Sequence, residues 1–506
     1  MVAALGHPHF SKGTHEGCPY TVAAVVVGVS LAGTVGAPSQ AQIVGAALVA
    51  ALGHPHFSKG THEGCPYTFA TLETKPMSHR SHNRRDFFRT SGAAALGASV
   101  ASGAASVAGA QTGGAPLPTP IAALKLMTAG VSPISTEERK ARIAKAQTLL
   151  SQNGMQALII ASGTSLDYFT GARWGISERF FGCIITREGD PAWVTPAFEK
   201  ARALEQVKIG KDVRAWDEHE SPSALVATIL KDRGVTTGKI GIEEMMPFTF
   251  ADEIGKAAPA TQVVNGTPVT AGCRMIKDAH ELALMRRACE ITVTAHRAVF
   301  ASLREGMTQD QVAGLSAAAH RQLGMTGGSL VLFGKDAAFP HGTTDPQPLK
   351  AGEAVLLDGG GRLHGYASDI SRTAIFGAKP TDRQRFIWDT VRAAQDAAFR
   401  AAKPGVECQA LDAAARKVVT DAGFGKDYEI FGHRVGHGIG MDGHEWTYLV
   451  RGNTTRLRPG MCFSDEPGIY IYGEIGVRHE DIIFITENGA ENMTKWPGTP
   501  EDPAVV

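Results

Sequence analysis

The sequence predicts two folded domains, an α/β domain followed by a mixed α+β domain, and three observations support this prediction. The chain of 506 residues is longer than the roughly 250 residues at which a single hydrophobic core stops growing. Apolar residues make up 43% of the chain and charged residues 20%, a balance that is typical of folded proteins. Short apolar runs alternate with helical stretches over residues 136–243 and mix with longer helices after residue 270.

The charge balance and the cysteine content exclude several other classes of protein. Fifty basic and 50 acidic residues give a net charge of zero, which disfavours a nucleic-acid partner because phosphate contacts need a basic surplus. Seven cysteines without paired spacing indicate no disulfide framework. The apolar stretch at residues 21–37 is shorter than the roughly 20 residues of a spanning helix, so no membrane partner is expected.

The first 76 residues are interpreted as a duplicated leader that is disordered or absent from the native protein. Residues 2–21 recur without a single change as residues 49–68, whereas structural repeats diverge and occur three times or more. Each copy contains three histidines and a cysteine, a composition that superficially resembles a metal site. One duplication of coding sequence explains all of these residues together and is the preferred interpretation.

Residues 77–110 have the pattern of an export signal. Arg84-Arg85 precedes an uncharged, weakly apolar stretch, and Ala108-Gly109-Ala110 supplies a small-residue cleavage site. The paired arginines resemble a twin-arginine (Tat) signal, which predicts a periplasmic or secreted protein. Residues 111–132, rich in proline and glycine at their start, are expected to form a linker.

The elements of the first domain, residues 133–270, follow from apolar spacing and capping residues. Ile143, Ala146 and Leu150 share one face of a helix over residues 136–154, with Thr136 as a plausible N-cap. The apolar runs predict strands, and a second apolar face predicts a further helix. These strands are expected at 157–161, 179–187, 192–195 and 239–243, and this helix at 223–233.

The second domain, residues 271–500, is predicted to contain four helices and several short strands, and its boundary is expected near residues 270–274. The helices are expected at 274–303, 309–324, 381–402 and 408–422. The strands are expected at 329–333, 354–357, 373–376, 463–465, 469–471 and 481–486.

Four carboxylates and one histidine in the second domain form a candidate metal site. Asp358, Asp369, Glu466 and Glu480 lie where predicted strands begin or end, and His437 lies among glycines that leave room for a cavity. Each position alone is weak, because an acid at a strand end more often caps a turn. Together they make a hard, mostly oxygen donor set, which suits two divalent cations of the Mn, Co or Zn type.

The order and spacing of these residues resemble the pita-bread metallopeptidase family, which includes Xaa-Pro aminopeptidases, prolidases and methionine aminopeptidases. The resemblance spans residues 133–495, and its first half is similar to the creatinase-like domain of the family. The matching motifs are Leu166-Asp167-Tyr168-Phe169-Thr170-Gly171, Leu357-Asp358-Gly359-Gly360, Tyr366-Ala367-Ser368-Asp369-Ile370-Ser371-Arg372-Thr373, Gly436-His437-Gly438-Ile439-Gly440, Asp465-Glu466-Pro467-Gly468 and Arg478-His479-Glu480-Asp481.

The resemblance implies a fold and a role for each ligand. The second domain would have the α+β pita-bread fold, with Asp358 on one metal ion, His437 and Glu466 on the other, and Asp369 and Glu480 bridging both. Water held by two such cations becomes a nucleophile near neutral pH, and Glu466 would carry its proton toward the leaving amine.

Four further residues receive roles from the same resemblance. His341 and His444 would hydrogen-bond the substrate and the tetrahedral intermediate. Arg478 would orient a bridging carboxylate. Arg451 is the weakest of these assignments and would hold a substrate carboxylate.

The implied function is hydrolysis of X-Pro bonds at the N-terminus of peptides or in dipeptides, by a homodimer acting on peptides with proline at the second position. One alternative is the same fold with a non-peptide substrate. Creatinase-like hydrolases lose the ligand set, and the related lyases carry an acid where this chain has Gly360. The other alternative is a binding module without catalysis. Both are disfavoured, because all five ligand positions are filled.

Overall fold

The computed structural model describes residues 116–506, so the predicted leader and export signal lie outside the described residues. A short helix, α1 (Thr119–Ala122), precedes the first domain. Within residues 116–506, no helix is both long enough and apolar enough to cross a membrane.

The first domain is built on one six-stranded sheet with helices packed against it. Its strands are β1 (Met155–Ala161), β2 (Gly182–Thr186), β3 (Ala192–Pro196), β4 (Val213–Trp216), β5 (Gly238–Ile242) and β6 (Thr261–Asn265). They lie in the order β4-β3-β2-β1-β5-β6, antiparallel between β3, β2 and β1 and parallel elsewhere. The helices are α2 (Thr136–Gln152), α3 (Thr164–Thr170), α4 (Lys200–Gln206), α5 (Pro222–Asp232), α6 (Phe248–Ala257) and α7 (Thr267–Arg274).

Helix α2 begins at Thr136, the residue predicted as its cap, so its observed cap lies one residue earlier. Ser135, not Thr136, is the N-cap, because its hydroxyl accepts from the Glu138 backbone while the Glu138 carboxylate accepts from the Ser135 backbone. This reciprocal pair satisfies two backbone N–H groups at the helix start. The buried face of α2 includes Ile143 and Leu150, as predicted from their spacing.

The second domain combines four helices with three small sheets. Its helices are α8 (Ala279–Phe300), α9 (Gln309–Gln322), α10 (Asp382–Ala401) and α11 (Cys408–Asp421). The strands of its sheets are β7 (Thr326–Phe333), β8 (Ala354–Leu363), β9 (Tyr366–Ala367), β10 (Ile370–Ile375), β11 (Gly436–Gly438), β12 (Glu445–Leu449), β13 (Cys462–Asp465), β14 (Gly468–Ile471), β15 (Ile475–Arg478), β16 (Asp481–Ile485) and β17 (Ala490–Asn492).

The three sheets bring distant parts of the chain together. One sheet has the order β10-β8-β7 with β9 paired to β8, a second has the order β12-β11-β13-β16-β17, and β14 pairs with β15. Short 3₁₀ helices lie at Ala197–Glu199 and Gly334–Ala338. Helices α8 and α9 pack on the β10-β8-β7 sheet, and the first four residues of β8, before Asp358, are buried.

The long helix predicted from residue 274 is interrupted. Helix α7 ends at Arg274 and α8 starts at Ala279, because Ile276 pairs with Met461 in a β-bridge and the Lys277 backbone donates to Gly460. Asp278 then caps α8. The apolar spacing continues across this break, so it could not predict that the backbone at Ile276 pairs with a segment almost 200 residues away.

A buried ion pair joins the two domains. Arg142 on α2 lies 3.2 Å from Glu281 on α8, and both side chains are almost fully buried. The Tyr366 hydroxyl donates to Glu281 at 2.7 Å and accepts from Arg142 at the same distance. The two terminal nitrogens of Arg142 and both carboxylate oxygens of Glu281 have hydrogen-bond partners, whereas the buried Arg142 Nε has none within residues 116–506.

Candidate metal centre

Two of the five predicted ligands come from neighbouring strands of one sheet. Asp358 lies in β8, and Asp369 lies immediately before β10. Strands β8 and β10 are antiparallel, with Ser371 directly opposite Asp358. The two strands therefore bring both carboxylates into one group, although β8, expected to end at residue 357, continues to Leu363.

His437 is the central residue of β11, which lies between β12 and β13. Its glycine neighbours allow both strands to approach closely. A Cβ atom at Gly436 would lie 2.0 Å from the Ser464 carbonyl oxygen, and one at Gly438 would lie 2.4 Å from that of Trp446. Larger residues at either position would displace the strands that hold the imidazole.

Glu466 and Glu480 approach from the remaining strands. Glu466 follows β13, and Glu480 lies between β15 and β16. A β-bridge between Ser371 and Glu480 links this part of the chain to β10. The Ser371 hydroxyl lies 2.6 Å from Asp358 Oδ1 and 2.9 Å from Glu480 Oε2, so one serine connects the two carboxylates.

The five side chains form overlapping groups that could hold metal ions. In each group the potential ligand atoms lie within 4.8 Å of one another. Glu480 belongs to two groups, one with Asp358 and Asp369 and the other with His437 and Glu466. A third group joins Asp369 and His437 to His444.

The hydrogen bonds of His437 select the nitrogen that faces this cluster. Nδ1 lies 3.0 Å from the Gly438 carbonyl oxygen, which can only accept, so this nitrogen carries the proton in the neutral ring. Nε2 lies 3.1 Å from Glu466 Oε1 and 3.9 Å from Asp369 Oδ2. The tautomer therefore presents an unprotonated nitrogen to a metal ion.

The acids are difficult to ionise together without a cation. Burial, and then the charge of Asp358, raises the pKa of Asp369 to about 7. Burial and the neighbouring carboxylates raise the pKa of Glu480 well above its usual value. Burial also raises the pKa of Glu466, but the hydrogen bond from His437 and its charge lower it to about 2.

One carboxylate oxygen without a hydrogen-bond partner indicates that this set of donors fits a divalent metal ion. Glu480 Oε1 is buried and has no hydrogen-bond partner within residues 116–506. A buried carboxylate oxygen without a donor is costly unless a cation supplies the missing contact. Four carboxylates and one imidazole also match the ligand preferences of divalent transition metals.

Arg478 organises one side of the cluster. Its guanidinium donates to Asp358 Oδ2 at 2.6 Å, to the Ser371 hydroxyl at 3.1 Å and to the Tyr470 hydroxyl at 2.7 Å. The prediction gave Arg478 a bridging carboxylate as its partner, whereas the structure pairs it with Asp358. Burial lowers its pKa, but Asp358 raises it well above the usual value, so the guanidinium stays charged.

The two predicted substrate-binding histidines differ in position. The His444 ring lies 3.9 Å from the His437 ring and is exposed, at the mouth of the cluster. Burial and then the His437 charge lower its pKa. His341 is exposed in the loop after Gly334–Ala338, and its neighbour Pro340 accepts a hydrogen bond from Arg478 at 3.3 Å.

The assignment of Arg451 to substrate requires correction. Its side chain is 56% exposed and pairs with Asp427, and its guanidinium lies 5.3 Å from the Tyr428 ring. Neither partner belongs to the carboxylate cluster. The hydrogen bond with Asp427 raises the pKa of Arg451, so its charge is already compensated at the surface.

The prediction missed three residues that contact the cluster or its arginine. Ser371 bridges two of the acids, and the Tyr470 hydroxyl lies between Arg478 Nη1 and His433 Nε2 at 2.7 Å from each. Ser371 follows Asp369 by two residues, and Tyr470 follows Glu466 by four. A strand-periodicity argument, in which alternate residues share a face, could have identified both.

Comparison with known protein families gives two matches. The model of metallopeptidase family M24 matches residues 283–487, and the model of the creatinase/prolidase N-terminal domain matches residues 142–276. Together they span both domains and contain all five candidate ligands.

Individual relatives match over nearly their whole length. A putative dipeptidase, YkvY, of Bacillus subtilis is 34% identical over 70% of this chain and 98% of its own. An Xaa-Pro dipeptidase of Lactobacillus delbrueckii subsp. lactis is 36% identical over 69% of this chain and 95% of its own. The crystal structure of dipeptidase PepE from Mycobacterium ulcerans has 34% identity and a TM-score of 0.67, and the match covers 72% of this chain and 98% of that one.

Proposed function

Because this chain belongs to metallopeptidase family M24, with a creatinase/prolidase N-terminal domain and the pita-bread fold, we propose that it hydrolyses X-Pro peptide bonds. The scissile bond lies at the N-terminus of a peptide or within a dipeptide. The single observation that carries this proposal is the pair of ligand groups that share Glu480. This arrangement offers two adjacent places for divalent cations.

The proposed cofactor is two divalent metal ions of the Mn, Co or Zn type. Asp358 would hold one ion, His437 and Glu466 the other, and Asp369 and Glu480 both. Bound there, the metal ions supply Lewis acidity, which activates water and polarises the scissile carbonyl. Two atoms support the fit of this site to metal ions, namely the unprotonated Nε2 of His437 and the Glu480 Oε1 atom that has no hydrogen-bond partner within the described residues.

The remaining steps use side chains of this chain. Glu466 accepts a hydrogen bond from the Ser464 hydroxyl at 3.1 Å. As a carboxylate it can take a proton from attacking water and release it to the leaving amine. His444, at the mouth, and His341 are proposed to hydrogen-bond the substrate and the oxyanion.

Two other functions on the same fold are less well supported. A creatinase-like hydrolase or a binding module without catalysis would not need five converging metal ligands, and the related lyases carry an acid where this chain has Gly360. The burial of Glu480 and His437 in one cluster is costly, and neither alternative gives that cost a purpose.

The test combines metal analysis with a peptidase assay. Metal-free protein should regain Gly-Pro hydrolysis when Mn²⁺, Co²⁺ or Zn²⁺ is added, with two ions bound per chain. Asp369→Asn and Glu480→Gln should each reduce metal content and activity together, whereas Arg451→Met should change neither. Metal binding without hydrolysis of any X-Pro peptide would favour a non-peptide substrate, and loss of metal binding altogether would refute the proposal.

We also propose that the protein is exported and forms a homodimer. Export rests on the twin-arginine segment and the cleavage site in residues 77–110, which lie outside the described residues. Cell fractionation and the N-terminal sequence of the mature protein test export. Light scattering of the purified protein tests the dimer.

A further inference from the structure

The loop that carries His444 is tied to the first domain by a side chain that has no assigned role. This loop, residues 439–444, connects β11 to β12, and we refer to it as the mouth loop. Thr164 is the first residue of α3 in the first domain. Its hydroxyl donates to Asp442 Oδ1 in the mouth loop at 2.6 Å, a length that is typical of a hydrogen bond to a charged acceptor.

The other oxygen of the Asp442 carboxylate is also held from outside the mouth loop. Arg274, at the end of α7, donates to Asp442 Oδ2 at 2.6 Å and to the hydroxyl of Ser165, the residue after Thr164, at 3.1 Å. Arg362 approaches Asp442 Oδ1 only to 4.0 Å, which is too far for a hydrogen bond. The two domains therefore hold Asp442 by one hydrogen bond to each oxygen.

The position of Asp442 determines the position of His444, because only Gly443 separates them. The Asp442 carbonyl oxygen accepts from the Gly440 backbone at 3.1 Å, so the mouth loop turns tightly around this residue. The His444 ring lies 3.9 Å from the His437 ring, and within residues 116–506 no hydrogen bond holds its nitrogens. The imidazole is thus directed by the loop that carries it.

Of the two partners of Asp442, only Thr164 acts on the mouth loop alone. Arg274 also pairs with Glu445 and is almost fully buried, so its replacement would disturb the ion network behind the site. Thr164 is half-buried, and its hydroxyl has no other hydrogen bond within the described part of the chain. Removing this hydroxyl therefore changes one contact between the domains.

We propose that Thr164 is a positioning residue, whose hydrogen bond to Asp442 holds the mouth loop so that His444 meets the substrate. The first domain then sets the geometry of a site whose candidate ligands all lie in the second domain. This inference rests on the proposed function, because it concerns the action of His444 in that site. A group misplaced by about 1 Å can cost about 100-fold in rate, so a loop that has lost one of two holds should slow the reaction measurably.

Hydrogen exchange of the backbone amides tests the contact without relying on activity. Thr164→Val removes the hydroxyl and nearly keeps the shape of the side chain, so residues 439–445 of the full chain should exchange about tenfold faster. Thr164→Ser keeps the hydroxyl and should exchange like the wild type. The matched control is Thr228→Val, because the Thr228 hydroxyl donates to the Ala224 carbonyl oxygen within α5, and it should leave the mouth loop unchanged.

Kinetics of Gly-Pro hydrolysis by the metal-loaded protein test the role of the contact. Thr164→Val should lower kcat about tenfold and leave KM and metal content unchanged, because the loop is misplaced and the ligands are not. Thr164→Ser should restore kcat. In a His444→Ala background, Thr164→Val should have no further effect, since a residue that acts through His444 then has nothing to position.

The outcomes separate this inference from the proposed function. If the wild type hydrolyses no X-Pro peptide, the proposed function fails, and this inference is overturned with it. If the wild type is active, the inference alone is overturned by an unchanged exchange rate or kcat in Thr164→Val, or by an equal loss of kcat with and without His444. Should Thr164→Val fail to fold, Thr164→Ala and Thr164→Ser decide, because these two variants differ only in the hydroxyl. Equal exchange rates and equal kcat in that pair refute the proposal.

Discussion

Replacing Glu445 by Gln is expected to destabilise the protein through a buried ion network behind the candidate metal centre. Glu445 Oε1 lies 2.5 Å from Arg274 Nη2, and Oε2 lies 3.1 Å from Lys277 Nζ. The three side chains are 1–2% exposed. Glu445 also accepts from the backbone N–H groups of Met441 and Asp442 at 2.9 and 3.1 Å, which fixes the loop before His444.

The loss of stability in Glu445→Gln depends on the buried charges of Arg274 and Lys277, which the neutral amide no longer compensates. Removing one partner of a buried ion pair costs about 3–5 kcal/mol, because the other charge remains buried without compensation. Arg274 keeps Asp442 at 2.6 Å, whereas Lys277 has no other ion pair within the described chain. We therefore expect about 3 kcal/mol, the lower end of the range, and a fall in Tm of about 5–10 °C.

The pH dependence of the effect identifies its cause. Burial raises the pKa of Glu445, but the charges of Lys277 and Arg274 lower it to about 2. A carboxyl with a lowered pKa stabilises the folded state above its ordinary value of 4.5, and this stabilisation is lost as the pH falls toward 2. Between about pH 5 and 7 the carboxyl is ionised in both the folded and the unfolded state, so the difference in Tm between wild type and Glu445→Gln should be constant there. The difference should shrink below about pH 4.5.

Thermal unfolding followed by circular dichroism provides the measurement. The matched control is Glu137→Gln, because the side chain of Glu137 is 79% exposed and pairs with Lys140 on the surface. This control should leave Tm unchanged. The reasoning is refuted if Glu445→Gln unfolds within about 1 °C of the wild type at pH 7, well short of the shift worked out from the lost ion pair, or if its deficit persists unchanged at low pH.

Two further predictions concern metal removal and close packing. Without metal, the raised pKa values of Asp369, to about 7, and of Glu480 mean that the chelated protein loses stability as the pH rises from the ordinary Asp value of 3.8 to about 7. Melting curves with and without chelator should therefore diverge with rising pH, and parallel curves would contradict the assignment. A Cβ atom at Gly476 would lie 1.7 Å from the Ala337 carbonyl oxygen, so Gly476→Ala should lower Tm by several degrees. The matched control is Gly489→Ala, whose Cβ atom would meet nothing within 4 Å, and this variant should leave Tm unchanged. Equal Tm values for the two variants would show that the close contact at Gly476 is tolerated.

Local sequence patterns predicted most regular elements of the described chain but not its interruptions. Helices α2, α9, α10 and α11 begin and end within two residues of their expected bounds, because apolar spacing and capping are local properties. Seven strands of two to five residues were missed, namely β4, β6, β9, β11, β12, β15 and β17, and so were the helices α1, α3, α4 and α6. The separation of α7 from α8 was also missed, because it depends on pairing with Met461.

The candidate site shows the same division between local and long-range information. Asp358, Asp369, His437, Glu466 and Glu480 could be proposed from motifs, because their residue type and spacing carry the chemistry. The partners that surround them could not. The serine that links Asp358 to Glu480 acts across more than 100 residues of sequence, and only the Ser371–Glu480 bridge brings it there.

The sequence by itself determined the family, the two-domain architecture and the candidate metal ligands. Only the tertiary structure decided which arginine meets the carboxylate cluster. Arg451 and Arg478 were both predicted to act in the site. Folding pairs Arg451 with Asp427 at the surface and Arg478 with Asp358 in the cluster. The sequence determines which side chains can carry a charge, whereas the compensation of that charge depends on which distant groups the fold brings near.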